Sequence, residues 1–206
     1  RQPPAYVDRE AITEGRALER RVQAGVSPTG AERRVPVEAP PAIDVTPKVV
    51  EPHTFSSTQL NLPPRLSDAV ITLAQRIPDD ALTEDGRAGA TPATAPHVTV
   101  KYGIETSDVE KIRELLKDQP PISVTLGRTS LFKTDDADVV KIGVESPALR
   151  ALNETIASAL ETPGDTHPTY VPHVTVAYVK PGQGAAYAGD RTLEGQTATI
   201  DRLTFS

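Results

Sequence analysis

A seven-residue phrase that contains one histidine and one threonine occurs twice in this chain of 206 residues. The two copies are residues 96–102, PHVTVKY, and residues 172–178, PHVTVAY. They differ at one position, where the first copy has Lys101 and the second has Ala177. Two of the chain's four histidines, His97 and His173, occupy the same place in the two copies. The repetition indicates a site that is built from a pair of histidines.

Histidine and threonine together suit phosphodiester chemistry that needs no metal. The ordinary imidazole pKa of about 6.5 lies near working pH, so one ring can remove a proton from water or a ribose 2′-hydroxyl while the other protonates the leaving oxygen. The hydroxyls of Thr99 and Thr175 can donate hydrogen bonds to the non-bridging phosphoryl oxygens. Neither copy contains a carboxylate that would repel a phosphate. Because the copies are so similar, the sequence leaves open which histidine is the base and which is the acid.

Alternating apolar and polar residues predict that each copy forms a half-buried β-strand. We expect one face of these strands to carry the valines and tyrosines, namely Val98, Val100, Tyr102, Val174, Val176 and Tyr178. We expect the other face to carry His97, Thr99, Lys101, His173 and Thr175. A duplicated strand that serves packing alone is the competing interpretation. It explains the valines and tyrosines, but it does not explain why the polar face repeats histidine and threonine.

On these residues the sequence resembles the 2H (two-histidine) phosphoesterase superfamily, in which paired His-x-Thr-x motifs lie on strands. The matching residues are His97-Val98-Thr99-Val100 and His173-Val174-Thr175-Val176. Members include 2′,3′-cyclic phosphodiesterase/RNA ligase-like proteins and phage anti-CBASS enzymes, which cleave the cyclic oligonucleotides of anti-phage signalling. The resemblance implies a phosphodiesterase, a hydrolase without a cofactor, whose catalytic residues are His97, Thr99, His173 and Thr175.

The same resemblance implies an α+β fold with a pseudo-twofold axis, in which two small antiparallel sheets, flanked by helices, surround a central cleft. The resemblance starts near residue 53, because residues 53–63 resemble the opening strand of 2H domains often carried on phage structural proteins. The implied substrate is a small nucleotide, either a cyclic oligonucleotide or a 2′,3′-cyclic phosphate. A phage-encoded protein of this kind would act in the host cytoplasm, with virion association as the alternative.

Four further residues are candidates for substrate binding. Lys101 would neutralise a phosphate, and its replacement by Ala177 in the second copy predicts unequal sides of the cleft. Tyr170 would stack on a nucleobase, although packing is an equal alternative. His167 lies in the same loop, and Phe132 is expected at the border of the site.

Two other functions compete with the phosphodiesterase. A metal site could be imagined from the four histidines, but the spacing of metal-ligating residues that such sites show is absent. A nucleotide-binding or structural module of a phage protein that does not catalyse is the second alternative. The intact motifs favour the enzyme, because pure binding does not need two proton-transfer groups.

Composition restricts the substrate and the environment. The net charge is −6, and because residues 1–52 hold eight basic and eight acidic residues, the excess lies in residues 53–206, with 14 basic and 20 acidic residues. An acidic domain is a poor binder of long nucleic acid, whereas a short or cyclic nucleotide depends less on the overall field. The absence of cysteine excludes disulfides and thiol nucleophiles and is typical of a reducing cytoplasm. No apolar run approaches the roughly 18 residues of a membrane span.

The chain divides into an appendage, residues 1–52, and a domain, residues 53–206. We expect a charged helix at 8–24 and then an extended or disordered linker, because prolines recur from 28 to 52. Such a linker could tether the domain to a larger phage protein, and the missing initiator methionine is typical of an excised piece. The expected strands are 58–62, 97–102, 122–126, 130–133, 139–144, 170–179 and 197–205. The expected helices are 64–76, 108–117 with Ser107 as its cap, and 147–160, and residues 79–96 are expected to form a loop.

Overall fold

The computed structural model describes residues 41–48, 55–91, 94–166 and 169–206. The expected helix at 8–24, His53 and His167 lie outside the described residues. Residues Pro40–Ser206 form one compact unit. No helix in the described ranges is long and apolar enough to cross a membrane.

The described residues form nine strands and three α-helices. The strands are β1 (Asp44–Pro47), β2 (Ser56–Asn61), β3 (Leu82–Arg87), β4 (His97–Ile104), β5 (Ile122–Lys133), β6 (Asp138–Glu145), β7 (His173–Val179), β8 (Thr197–Ile200) and β9 (Arg202–Phe205). The helices are α1 (Pro64–Ala74), α2 (Val109–Leu116) and α3 (Pro147–Ala159), with short 3₁₀ turns at Asp79–Ala81 and Gly184–Tyr187.

Two groups of strands meet in the middle of one sheet. The strand order is β1-β9-β2-β4-β7-β6-β5-β8, and β3 also pairs with β7. The first group is β1, β9, β2 and β4, the second is β3, β7, β6, β5 and β8, and one pair, Val98 with Val174, joins them through β4 and β7. All pairings are antiparallel except that of β1 with β9. The α+β class that we expected from the sequence is confirmed.

The helices begin where the sequence provides capping groups and proline. α3 starts at Pro147, a residue that fits the first helical turn, and the Ser146 hydroxyl accepts a hydrogen bond from the Leu149 amide at 3.1 Å. Its apolar stripe of Leu149, Leu152 and Ile156 is fully buried. This stripe lies at helical spacing and packs α3 against the sheet, next to β4.

Several expected elements need correction. Residues 44–47, expected in the linker, form β1, and the neighbouring core residues Ile43 and Val45 are each 5% exposed, so the domain begins before residue 53. The expected loop at 79–96 contains β3, and the two pieces at 122–133 are one strand, β5. The cap of α2 is Asp108, whose side chain accepts from the Glu110 amide, and not Ser107. The expected strand at 197–205 is two strands, which pair at opposite ends of the sheet.

Candidate active site

The two motif strands lie side by side. β4 and β7 pair at Val98 and Val174, the middle residues of the two His-Val-Thr triplets. Both valines are 0% exposed and belong to the core under the helices. Directly paired residues point to the same side of a sheet, and neighbours along a strand point to opposite sides. The side away from the valines therefore carries all four motif residues, His97, Thr99, His173 and Thr175, and we call it the motif face.

A β-bulge follows the threonine in β4. Against β2, Thr99 pairs with Gln59 but Lys101 pairs with Thr58, which leaves Val100 as an extra residue. A bulge of this kind shifts the alternation of side chains by one position, and bulges are common next to active sites.

β7 contains the matching bulge. Against β6, Thr175 pairs with Lys141 but Ala177 pairs with Val140, which leaves Val176 as the extra residue. The pseudo-twofold relation thus extends beyond the repeated phrase, since it includes the partner strands and the irregularity itself.

The bulges correct two expected side-chain directions. Lys101 pairs with the fully buried Thr58 and so lies on the helix side, where its Nζ forms an ion pair of 2.6 Å with Asp165 Oδ2. Tyr102, expected in the core, falls on the motif face and is 50% exposed. Tyr178 moves to the motif face for the same reason. The mismatch of Lys101 and Ala177 therefore does not distinguish the two sides of the motif face.

Each histidine is oriented by the same backbone hydrogen bond. His97 Nδ1 lies 2.7 Å from the Ala95 carbonyl oxygen, and His173 Nδ1 lies 2.7 Å from the Val171 carbonyl oxygen. A carbonyl oxygen can only accept, so Nδ1 carries the proton in both rings and donates it. Each neutral ring then keeps its lone pair on Nε2.

His97 is biased toward its neutral form. Burial lowers the pKa of this imidazole, the hydrogen bond to Ala95 raises it by a smaller amount, and the positive charge of Lys48 lowers it further. The net effect holds the pKa of His97 below its ordinary value, because both a buried site and a neighbouring cation disfavour the imidazolium.

His173 packs against an aromatic ring. The centroids of Phe132 and His173 are 5.0 Å apart with the ring planes at 87°, an edge-to-face contact. Lys141 Nζ lies 4.1 Å from the centre of the same Phe132 ring and donates to Ser130 Oγ at 2.9 Å. The structure thus places Phe132 beside a motif histidine, and binding of substrate by Phe132 stays a prediction.

The flanks of the motif face differ between the two sides. Beside β4, the residues paired with His97 and Thr99 are Asn61 and Gln59. Beside β7, the residues paired with His173 and Thr175 are Gly143 and Lys141. Neutral amides therefore flank one motif, whereas a lysine and an aromatic ring flank the other.

The family assignment comes from the sequence match. The profile of the 2′-5′ RNA ligase superfamily matches residues 80–206, which is more than half of the 206 residues. The chain belongs to this superfamily. It is the 2H phosphoesterase group that the two motifs resemble, and the expected enzyme class, a phosphodiesterase of the 2H type, is confirmed. No curated protein matches the chain.

Solved structures of low sequence identity resemble the fold. A structure of E. coli LigT complexed with NADP⁺ is 20% identical with a TM-score of 0.49, and the match covers 75% of this chain and 87% of LigT. A structure of Kluyveromyces marxianus Usb1 with uridine monophosphate is 14% identical with a TM-score of 0.48, and the match covers 74% and 93%. A crystal structure described as a phosphoesterase is 18% identical with a TM-score of 0.48 and covers 74% and 87%.

Within this 2H domain, Tyr170 supports the first motif. Its hydroxyl donates to the Thr99 carbonyl oxygen at 2.9 Å, and Arg150 Nη1 donates to the Tyr170 carbonyl oxygen at 3.1 Å. Burial raises the pKa of Tyr170 well above its ordinary value. These contacts favour a packing role for Tyr170, and stacking on a base stays a prediction. His167 lies outside the described residues.

Sequence reasoning missed the residues that flank the motifs. Lys141, Gln59 and Asn61 are single polar residues inside short strands, and no repeated phrase marks them. The available signal was the aligned strand pair, since 58–61 and 140–143 have equivalent partners in β4 and β7. That alignment becomes visible only once the register of the sheet is known.

Clusters of metal ligands and surface cavities are the other places in the described residues where a functional site could lie. In the described residues, no group of three or more His, Asp or Glu side chains could hold a metal ion. Two surface cavities contain none of the four motif residues. One, of about 480 Å³, lies between β5, β8 and the start of α3, and the other, of about 310 Å³, lies between α1 and residues 186–190.

Proposed function

We propose that this 2H domain is a metal-independent phosphodiesterase that acts on a short or cyclic nucleotide through the motif face. The observation that carries the proposal is the matched orientation of the two histidines. Both donate Nδ1–H to the carbonyl two residues earlier, and both lie beside a threonine on adjacent strands. Two imidazoles whose Nδ1–H groups are held by backbone carbonyls, together with two hydroxyls, provide the groups that a general acid–base phosphoryl transfer needs.

We assign His97 as the base and His173 as the acid. Burial, together with the charge of Lys48, lowers the pKa of His97 and so favours the neutral form that a base needs. Its Nε2 removes the proton from the nucleophilic hydroxyl as the new P–O bond forms. His173, as imidazolium, gives its Nε2 proton to the leaving oxygen as the old P–O bond breaks. Exchange of protons with solvent restores both rings.

Thr99 and Thr175 would stabilise the transition state. Their hydroxyls flank the pair of histidines and donate to the non-bridging oxygens, where negative charge increases. With a ribose 2′-hydroxyl as nucleophile the product is a 2′,3′-cyclic phosphate, and with water a 2′,3′-cyclic phosphate is opened. The same four groups serve both reactions.

The remaining finer expectations rest on the resemblance. These are a phage-encoded anti-CBASS role, action in the host cytoplasm or on the virion, and tethering to a larger phage protein through the N-terminal segment. We retain the phage role and its location as part of the proposal because the resemblance of the motifs and of residues 53–63 implies them, and we retain the tether because of the recurring prolines from 28 to 52.

The test is a panel of nucleotides in the presence of EDTA. Cyclic di- and trinucleotides and 2′,3′-cyclic mononucleotides are incubated with the protein, and products are separated by chromatography. We expect at least one to be hydrolysed at a rate that EDTA leaves unchanged. Tight binding measured by calorimetry, without product over hours, would instead support the non-catalytic module. Abolition of turnover by the chelator would exclude the metal-independent mechanism.

A further inference from the structure

A buried lysine lies at the edge of the motif face. Lys141 on β6 is 6% exposed and pairs with Thr175 of the second motif. Its ammonium donates to Ser130 Oγ at 2.9 Å and lies 4.1 Å from the centre of the Phe132 ring. Because paired residues point to the same side of a sheet, Lys141 shares the motif face with Thr175.

The charge of Lys141 has no counter-ion among the described residues. No carboxylate there forms an ion pair with Lys141, and its polar partner is the neutral hydroxyl of Ser130. Asp138, three residues earlier on β6, points to the opposite side and accepts from the Gly184 amide at 2.9 Å. A buried ammonium without a carboxylate is costly, and one hydroxyl and one ring compensate only part of that cost. An anion supplied by a ligand would complete the site.

The ammonium is displaced from the reacting centre. Its partner Ser130 lies on β5, and β5 adjoins β6 on the side away from β7. The ammonium is therefore held on the β5 side of Lys141, and the Phe132 ring that it contacts also contacts His173. The equivalent position beside the first motif is the neutral Gln59, and Lys48 is the cation that acts on His97 there. The ammonium thus lies on the side of β6 that faces away from the two motif strands, next to Ser130 and Phe132.

We propose that Lys141 and Ser130 form a second anion-binding position, which holds a phosphate of the substrate next to the scissile one. This inference rests on the proposed function and narrows it. The substrate then carries at least two phosphates, as a short linear or cyclic oligonucleotide does. A 2′,3′-cyclic mononucleotide, with one phosphate, leaves the position empty.

The experiment compares substrates that differ by one phosphate. These are adenosine 2′,3′-cyclic phosphate, the same compound with a 5′-phosphate, and cyclic di-AMP. The proteins are the full chain, Lys141→Met, which keeps the length and packing of the side chain, Lys141→Arg, which keeps the charge, and Lys111→Met, which removes one positive charge from the exposed surface of α2. kcat/KM is measured for each combination of protein and substrate.

We expect Lys141→Met to lower kcat/KM by about 10- to 100-fold for the two substrates with two phosphates, the size of a lost hydrogen bond to a charged group. The one-phosphate substrate should change by less than about twofold, Lys141→Arg should retain most activity, and Lys111→Met should match the wild type. An equal loss on all three substrates would place Lys141 at the scissile phosphate, and no loss on any would make it a packing residue. Both results overturn the proposal.

A failure of the proposed function is distinguishable from a failure of this inference. If the wild type hydrolyses none of the three compounds, calorimetry with the same compounds replaces the kinetics. Tighter binding of the two-phosphate compounds that Lys141→Met abolishes would still support the second position. Equal affinities for wild type and Lys141→Met would overturn it.

Discussion

The two motif histidines are each oriented by the backbone segment that leads into the strand. In each case the carbonyl that accepts from Nδ1 belongs to the residue two positions earlier, in the segment that leads into the strand. The carbonyl that orients each histidine thus belongs to the residue immediately before the repeated phrase, Ala95 or Val171. Pro96 and Pro172, which occur in both copies, restrict the backbone between this carbonyl and the histidine. The phrase alone predicted the two strands and the face that carries the histidines and threonines, and the catalytic roles of these residues stay a prediction.

The lowered pKa of His97 has a consequence for stability. In the unfolded chain a histidine has a pKa of about 6.5, so between that value and the lower folded pKa the unfolded state binds more protons. The free energy of unfolding should therefore fall as pH decreases below about 6.5, and it should be unaffected by His97 above that pH. His97→Gln should remove this part of the decrease. Urea unfolding of both proteins between about pH 5 and 8 measures it.

Direct titration provides the control for that prediction. NMR of the imidazole nitrogens should show His97 as the Nδ1–H tautomer near neutral pH, with a midpoint below the ordinary value. A midpoint at or above about 6.5, or a pH slope that is the same in His97→Gln, would contradict the assignment of His97 as the neutral base.

In the motif strands, the β-bulges mark the point after which side-chain directions could not be predicted from the sequence. Apolar and polar residues continue to alternate through Lys101 and Tyr102, so the sequence does not indicate that Val100 is an extra residue. Register is set by the partner strand, and a shift of one residue exchanges the two faces. For this reason His97 and Thr99, which precede the bulge, were placed correctly, whereas the two residues that follow it were not.

The strands that the sequence did not reveal have specific causes. β3 has the sequence LTEDGR, in which Thr83 is the one β-branched residue and apolar and polar residues do not alternate, and it is stabilised by its pairing with β7. β8 and β9 are separated by one residue, Asp201, yet pair with β5 and with β2 and β1. The sequence did not single out Lys141, because only its pairing with Thr175 shows that it lies beside the second motif.

Tyr170 links the loop before β7 to β4 through its hydrogen bond to Thr99. Substitution of Tyr170 tests whether this link positions the first motif. Tyr170→Phe keeps the ring but removes the hydrogen bond to the Thr99 carbonyl, so we expect a loss of about 1 kcal/mol in the free energy of unfolding. kcat should fall while KM changes little, because Thr99 is repositioned and the substrate contacts remain. Chemical denaturation and steady-state kinetics measure both effects.

Tyr102→Phe is the matched control, since its ring is 50% exposed. It should leave stability unchanged. If Tyr170→Phe is as stable and active as the wild type while Tyr170→Leu loses affinity for nucleotides, the ring stacks on a base and the packing role is wrong.

For the molecule as a unit, the start of the domain is set by β1 rather than by the end of the prolines. Ile43 and Val45 are buried, and β1 pairs in parallel with β9. The sequence could not reveal this, because a four-residue strand next to prolines reads as a linker. A chain that begins at Pro40 keeps β1 and is therefore the reference for a shorter truncation.

A chain that begins at Phe55 should be much less stable. It lacks two buried aliphatic side chains, each contributing about 1.5–3 kcal/mol, and it leaves the edge of β9 unpaired. A total of this size is a large part of the roughly 5–15 kcal/mol that stabilises a typical domain. Urea unfolding of the two truncated chains is the measurement, and equal stability would show that β1 is dispensable.

The central claim, that two histidines act as one acid–base unit, is tested most directly by kcat/KM in EDTA for the wild type, His97→Gln, His173→Gln and the double variant. Each single variant should lose about 10²- to 10⁴-fold, and the double variant should lose little more than the worse single one, because groups that act as a unit are not additive. Circular dichroism should show that all four proteins are folded. Turnover at the wild-type rate by either single variant would contradict the account.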